Sequence, residues 1–172
     1  MAVLPIPQAP NSLLRRRTTK VKAFDVTLRK LVEDMIDTMR FADGVGLAAN
    51  QVGVSLRVAV IEMPDEEEGS GKVHVLVNPE ILRREGEREV VEGCLSIPGY
   101  RGTFKRSVKV RVRARDLDGK EIRFRAENNL LAEALEHEID HLNGVLYIDH
   151  LGSPDALELI PPTYVDSSDV DG

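Results

Sequence analysis

The sequence predicts an α+β fold in which mostly antiparallel strands pack around a central helix. Three observations predict it: alternating apolar and charged residues on both sides of the turn Asp116–Gly119, two segments with helical periodicity, and several short strand-like runs between them. Alternation with a period of two buries one face of a hairpin, whereas apolar residues that recur every three or four positions form one side of a helix. Short runs joined by turns favour antiparallel pairing, because parallel strands need long crossover connections.

The first helix is predicted to begin after Asp25 and to end before Gly44. The Asp25 carboxylate can accept hydrogen bonds from the first turn, and the glycine-rich segment that starts at Gly44 stops the helix. The apolar residues with helical spacing are Leu28, Leu31, Val32, Met35, Ile36 and Met39. Strand-like runs follow over residues 56–63, 73–82 and 89–95, and each is rich in residues that favour strands.

The alternating segment predicts a β-hairpin, and the segment after it predicts a second helix. Val108–Ala114 and Ile122–Ala126 place apolar side chains on one face and arginines or lysines on the other. The helix is expected from Leu130 to Leu142, because Asn143–Gly144 is a typical C-terminal stop. On a helical wheel one arc of this helix is expected to face solvent, and its members are Asn129, Glu133, Glu136 and Asp140.

Length and composition indicate a globular chain with an acidic balance. The 172 residues are 42% hydrophobic and 30% charged, with a net charge of −6. We expect one domain over residues 1–164 and a flexible acidic tail over 165–172. Nucleic acid is not expected as the main partner, since the basic clusters at 15–17 and 105–115 fit a solvated flank and the outer face of the hairpin.

Compartment and assembly are also predicted. No apolar run is long enough to span a membrane, and Met1–Pro10 lacks the features of a signal peptide. The single cysteine cannot form an internal disulfide, which fits a reducing cytosol. The prediction is therefore a cytoplasmic monomer with no membrane partner.

The second helix carries the strongest chemical signal, His137-Glu138-Ile139-Asp140-His141. Residues four apart lie one turn above each other, so both imidazoles can bind one metal ion. A glutamate between such histidines is the general base of metal-dependent hydrolases. The wheel places Leu130 and Ala134 on the histidine side, where they can form the wall of a pocket.

The third ligand is not fixed by this motif. A metzincin would have a third histidine where Tyr147 stands, and a thermolysin-like enzyme would use a downstream glutamate, of which Glu158 is the only one after His141. Cys94 is the remaining soft donor, and its thiolate is a better ligand for a transition metal than a carboxylate. A nucleophile or a core residue are the other interpretations of Cys94. Three protein ligands would leave one position for water, as in catalytic sites.

A glycine-rich segment, Gly44-Val45-Gly46-Leu47-Ala48-Ala49-Asn50-Gln51, supplies a further element. Its glycines allow the backbone to approach another group closely, and the Gln51 amide is a hydrogen-bond donor. The segment is not a phosphate-binding P-loop, because no Lys-Ser or Lys-Thr follows it.

Together the segments GVGLAANQ, EGCLS and HEIDH resemble the three signature motifs of the peptide deformylases, in the same order. The resemblance implies that three residues bind the metal: Cys94, His137 and His141. It implies an acid/base role for Glu138 and oxyanion stabilisation by the Gln51 side chain and the Leu95 backbone N–H. It also implies four substrate-binding residues, Gly46 through its backbone and, around the methionine side chain, Val45, Leu130 and Ala134.

The family resemblance implies a substrate and a metal. Deformylases remove the formyl group from the N-terminal formylmethionine of newly synthesised polypeptides and release formate. Their metal in the cell is Fe²⁺, and Zn²⁺, Ni²⁺ or Co²⁺ can replace it in a purified sample. Some bacterial members dock on the ribosome through a basic C-terminal helix. The acidic C-terminus with Pro161–Pro162 does not fit that mode, so ribosome contact stays open.

The sequence departs from the usual family pattern on the second helix. The family usually has Gln at position 136, and the solvent-facing Glu136 is expected to matter little. Glu133 borders the pocket side and can change the local charge.

Arg106 is expected to pair with Glu92 and to brace the Cys94 strand. The alternatives are a zinc endopeptidase and a non-catalytic homologue that binds metal or peptide.

Overall fold

The structure, a computed structural model, describes residues 2–67 and 71–161. Among these residues no helix is long and apolar enough to cross a membrane. The predicted tail over 165–172 lies outside the described ranges. The helices and strands, with short 3₁₀ turns between them, are α1 (Val26–Phe41), β1 (Gly46–Ala48), β2 (Val58–Glu62), β3 (Val73–Glu85), β4 (Arg88–Cys94), β5 (Ile97–Arg106), β6 (Lys109–Arg115), β7 (Glu121–Glu127), α2 (Leu130–Leu142) and β8 (Leu157–Leu159).

The strands form two antiparallel sheets around α2. The larger sheet has the order β1-β2-β3-β6-β7, and the smaller one has the order β4-β5-β8. The apolar side of α2, including Leu135 and Ile139, packs on one face of the larger sheet against Leu76 and Val112. The apolar side of α1 packs with β2 on the opposite face. The predicted α+β class with a central helix is confirmed.

The predicted helices agree closely with the structure because their end signals are local. The Asp25 carboxylate accepts a hydrogen bond from Leu28 N at 3.1 Å, as expected of an N-cap. α2 has the predicted bounds, and Asn129 caps it by accepting a bond from Ala132 N at 2.9 Å. The hairpin of β6 and β7 is also confirmed.

Three strands were not predicted. β1 and β8 have three residues each, which is too short to show a period. β5 contains Pro98, Gly99 and Gly102, residues that are depleted in strands and typical of loops. Pairing with β4 and β8 on its two sides makes β5 the middle strand of the smaller sheet.

The prediction that the polar arc of α2 faces solvent was wrong. Glu136 is only 6% exposed; it accepts a hydrogen bond from Ser107 N at 2.9 Å and pairs with Arg84 at 3.2 Å. Asp140 pairs with Arg106 at 3.1 Å. A polar side chain can be buried when hydrogen bonds replace those it made to water, and a helical wheel does not contain this information.

Candidate metal centre

The two histidines of α2 lie side by side, as their spacing predicts. His141 is 1% exposed, and its Nε2 atom lies 3.1 Å from Nε2 of His137. The Asn50 side chain donates a hydrogen bond to the His141 carbonyl at 2.5 Å, so the segment after β1 is attached to the helix at the second histidine. Both imidazoles therefore present a nitrogen to the same point.

Cys94 reaches this point from the other sheet. It ends β4, where the chain turns tightly so that Cys94 lies opposite Ile97 of β5. Its Sγ atom lies 3.2 Å from His141 Nε2, and the donor atoms of Cys94, His137 and His141 all lie within 4.8 Å of one another. Sequence spacing did not fix this contact, because Cys94 and the histidines belong to different layers.

The donor set fits one divalent transition metal ion. One thiolate and two imidazoles suit Fe²⁺, Zn²⁺, Co²⁺ or Ni²⁺ and do not suit Ca²⁺ or Mg²⁺. Glu92 Oε1 lies 2.5 Å from His137 Nδ1, which leaves His137 Nε2 for the metal. A carboxylate behind a metal-binding histidine fixes the ring orientation and increases the basicity of the ligand.

Glu92 is itself held by a buried arginine. Arg106 donates through Nε to Glu92 Oε2 and through Nη2 to Glu92 Oε1, the latter at 3.0 Å. The side chains of Arg106 and Glu92 are 3% and 5% exposed. Arg106 also pairs with Asp140, whose Oδ2 lies 2.8 Å from His150 Nε2. The predicted pairing of Arg106 with Glu92 is confirmed.

Glu138 has the environment of an acid/base group. It is 3% exposed, and burial raises the pKa of its carboxyl to about 7. Its Oε2 atom is buried and has no hydrogen-bond partner among the residues that the structure describes. A carboxyl with a pKa near the working pH can both accept and return a proton.

Gln51 is fixed beside Cys94. Its Oε1 atom accepts a hydrogen bond from Ala48 N at 3.1 Å, which determines the orientation of the amide. Its Nε2 atom donates to Ser96 Oγ at 3.1 Å and lies 3.6 Å from Cys94 Sγ. An amide N–H is therefore directed at the candidate metal centre.

A cavity of about 400 Å³ opens over the candidate metal centre. Every predicted site residue except His141 lines it: Val45, Gly46, Gln51, Cys94, Leu95, Leu130, Ala134, His137 and Glu138. His141 is buried and meets the group through His137 and Cys94. The structure therefore brings all ten predicted residues together.

Sequence analysis missed part of the cavity wall. Tyr100 comes from β5, and Ile160 follows β8 and donates its N–H to the Gly99 carbonyl at 2.9 Å. Neither residue lies in a motif, so no sequence signal marked them. Glu133 also lines the cavity, one turn before His137, and burial followed by the charge of Glu92 raises the pKa of Glu133 to about 7.

Gly46 leaves space for the Glu138 side chain, and Gly46→Ala should lower turnover. An added Cβ would lie 2.5 Å from Glu138 Oε1 and 2.9 Å from its Cδ, so the carboxylate must move. Displacement of a catalytic group by about 1 Å can cost about 100-fold in rate. Gly152→Ala is a matched control, because nothing lies within 4 Å of its added Cβ. Equal turnover by the two variants, measured on the same substrate, would contradict this role of Gly46.

Comparison with known proteins agrees with this geometry. The polypeptide deformylase family matches residues 3–156. A peptide deformylase of Dehalococcoides mccartyi is 48% identical over 162 residues, covering 94% of each chain. Peptide deformylase 1 of Bacillus anthracis is 50% identical over 147 residues, covering 86% of this chain and 91% of the relative.

Solved structures give the same result for the fold. The crystal structure of a peptide deformylase from Legionella pneumophila has a TM-score of 0.83 and 47% sequence identity. The likeness covers 90% of this chain and 89% of that one. Both the sequence match and the structural match extend over nearly all of the chain, and the family match includes every cavity residue except Ile160. The chain therefore belongs to the polypeptide deformylase family.

Proposed function

We propose that this protein is a metal-dependent hydrolase that removes the N-formyl group from the N-terminal formylmethionine of newly synthesised polypeptides. The observation that carries the proposal is one cavity lined by the Cys94 and His137 donors, the buried Glu138 carboxyl and an apolar wall. Membership of the deformylase family supports the substrate class. The reaction belongs where translation takes place, and we place the enzyme in the cytoplasm.

The proposed ligands are Cys94, His137 and His141, and the proposed metal in the cell is Fe²⁺. A divalent ion at this position supplies Lewis-acid chemistry, which makes water more acidic and polarises a carbonyl. The same donors accept Zn²⁺, Ni²⁺ and Co²⁺, so a purified sample can contain these metals. Metal analysis of anaerobically purified protein tests the assignment to iron.

Glu138 moves the proton in this mechanism. Its carboxylate takes a proton from the attacking water as the water oxygen bonds to the formyl carbon. The same carboxyl then gives a proton to the amide nitrogen as the C–N bond breaks. Formate and a free N-terminal amine are the products. A pKa of about 7 for Glu138 suits both transfers.

Gln51 and the Leu95 backbone N–H stabilise the oxyanion that forms on the formyl oxygen. The amide of Gln51 is oriented by its bond to Ala48 N, which holds its Nε2 atom beside Cys94 and close to where the oxyanion would form. One such donor is typically worth about 3–4 kcal/mol of transition-state stabilisation.

The cavity wall explains how methionine would be recognised. Val45, Leu130 and Ala134 present apolar surface beside the metal donors, and a methionine side chain fits such a wall. Gly46 has no side chain, so a substrate backbone can approach the β1 edge closely. The formyl group would then lie between Gln51 and Glu138.

Formate release from formyl-Met-Ala-Ser tests the proposal, with acetyl-Met-Ala-Ser as the matched peptide control. Iron-loaded protein kept without oxygen should release formate rapidly and should leave the acetylated peptide almost intact. Removal of the metal by a chelator should abolish activity, and Fe²⁺ should restore it. Absence of formate at full metal content would overturn the proposal. Cleavage of internal bonds would then favour an endopeptidase, and binding without turnover a non-catalytic homologue.

A further inference from the structure

The outer face of β3, β6 and β7 concentrates positive charge. Val110, Val112 and Ala114 of β6 point toward α2, so the alternating residues of that strand point to the opposite face. Strand register adds the neighbouring side chains. We call the resulting surface the arginine face, and its cations are Arg83, Lys109, Arg111, Arg113, Arg115, Arg123 and Arg125.

Three arginines stand in one row across this face. Arg83 lies opposite Arg111 in the pairing of β3 with β6, and Arg111 lies opposite Arg125 in the pairing of β6 with β7. All three residues are exposed. Like charges directly opposite each other destabilise a sheet, so folding does not account for this row. A row that costs stability is a candidate for binding.

The carboxylates of this face pair with four of its seven cations and leave two arginines of the row without an ion pair among the described residues. Glu85 pairs with Arg83, and Glu127 pairs with Lys109 at 3.6 Å. Glu80 and Glu121 pair with other arginines, Glu80 with Arg113, and Glu121 with Arg113 and Arg123. Within residues 2–67 and 71–161, neither Arg111 nor Arg125 has an ion-pair partner.

This excess of cations contrasts with the chain as a whole. The sequence has 23 basic and 29 acidic residues, yet cations outnumber carboxylates on the arginine face. A local positive field on an acidic protein attracts polyanions to one side of it and orients them there.

We propose that the arginine face binds the phosphate backbone of structured RNA without reading its sequence. Guanidinium groups form bidentate hydrogen bonds to phosphates, and a flat row of them matches a series of phosphates better than a single anion. RNA duplexes are bound largely through phosphates and shape, since their deep groove is closed to side chains.

The position of the face supports this partner. No residue of the arginine face lines the cavity, and α2 separates the two. RNA on the outer face would leave the cavity open to a peptide. The choice of RNA as the partner rests on the proposed function, because newly synthesised polypeptides emerge from the ribosome and much of the ribosome surface is RNA. The contact would attach the enzyme to the ribosome through its structured RNA.

The test is fluorescence anisotropy of a labelled RNA hairpin with a long duplex stem, titrated with the full chain. We expect a dissociation constant of about 10⁻⁴ to 10⁻⁶ M, and affinity that falls steeply between about 50 and 200 mM KCl. Arg111→Glu/Arg125→Glu should weaken binding about tenfold and reduce the salt slope by about 2. Arg111→Gln/Arg125→Gln should give an intermediate loss.

Arg16→Glu/Arg17→Glu is the matched control, because it makes the same charge change on exposed residues outside this face. It should leave RNA affinity within about twofold of the wild type. Formate release from formyl-Met-Ala-Ser by Arg111→Glu/Arg125→Glu should be unchanged, so failure of RNA binding and failure of the proposed function are distinguishable. Equal losses in the two charge-reversed variants would overturn the proposal. Stronger binding to phosphatidylglycerol vesicles than to RNA would overturn it in favour of a membrane.

Discussion

Glu138→Gln should lower kcat for formate release by about 10²- to 10⁴-fold, the range that general acid–base catalysis usually supplies. Glutamine keeps the shape of the side chain but cannot accept the proton of the attacking water. Glu138 is buried, and its Oε2 atom has no hydrogen-bond partner among the described residues, so the substitution breaks no hydrogen bond at that atom. The measurement is single-turnover formate release by iron-loaded protein, with metal content determined on the same sample.

The control for this prediction is Glu136→Gln, a change of the same kind two residues earlier. Glu136 is also buried, but it does not line the cavity and it binds Ser107 N and Arg84 instead. Its turnover should stay within about threefold of the wild type, as for other changes remote from the reacting atoms. Near-normal turnover by Glu138→Gln at full metal content would exclude Glu138 as the general base.

Arg106→Leu should destabilise the protein by about 3–5 kcal/mol, because it leaves a buried carboxylate without its cation. Glu92 is 6% exposed and receives two hydrogen bonds from the guanidinium. Arg101→Leu is the matched control, since its pair with Glu158 has exposed side chains and should contribute less than about 1 kcal/mol. Urea denaturation at constant metal concentration measures both changes.

The double variant Glu92→Ala/Arg106→Leu tests whether the two side chains stabilise the protein chiefly through their contact with each other. If the two side chains act chiefly on each other, the double change should cost no more stability than either single change. Metal affinity should also fall by about 10- to 100-fold when Glu92 is lost, because His137 is no longer oriented. Additive losses in unfolding free energy would show that Arg106 acts through Asp140 rather than through Glu92.

The sequence predicted the metal-binding helix well because its information is local. Three signals belong to this helix alone. Asn129 caps its N-terminus, its apolar side packs on the larger sheet, and the spacing of His137 and His141 puts both imidazoles on one side. Cys94 could be chosen as the third donor only by chemistry and family resemblance. Its distance from the histidines depends on how β4 packs against the helix, which no local pattern encodes.

The failures lie where tertiary contacts determine the outcome. β5 carries strand-breaking residues but is paired on both sides, and Ile160 enters the cavity because β8 joins β5. Glu136 was expected in solvent because an isolated helix would expose it. The chain between β5 and β6 covers that position instead and satisfies the carboxylate with Ser107 N.

The three proposed ligands come from both layers of the protein, Cys94 from the smaller sheet and the histidines from the helix on the larger sheet. An ion held by all three would cross-link the two layers and close a long loop of chain. Closing a long loop reduces the freedom of the unfolded chain and so stabilises the folded state. At a concentration 1,000 times its dissociation constant, a ligand adds about 4 kcal/mol of stability. Protein that has lost such an ion would therefore unfold more often and be degraded sooner, so that metal-free copies would be removed in preference to metal-bound ones.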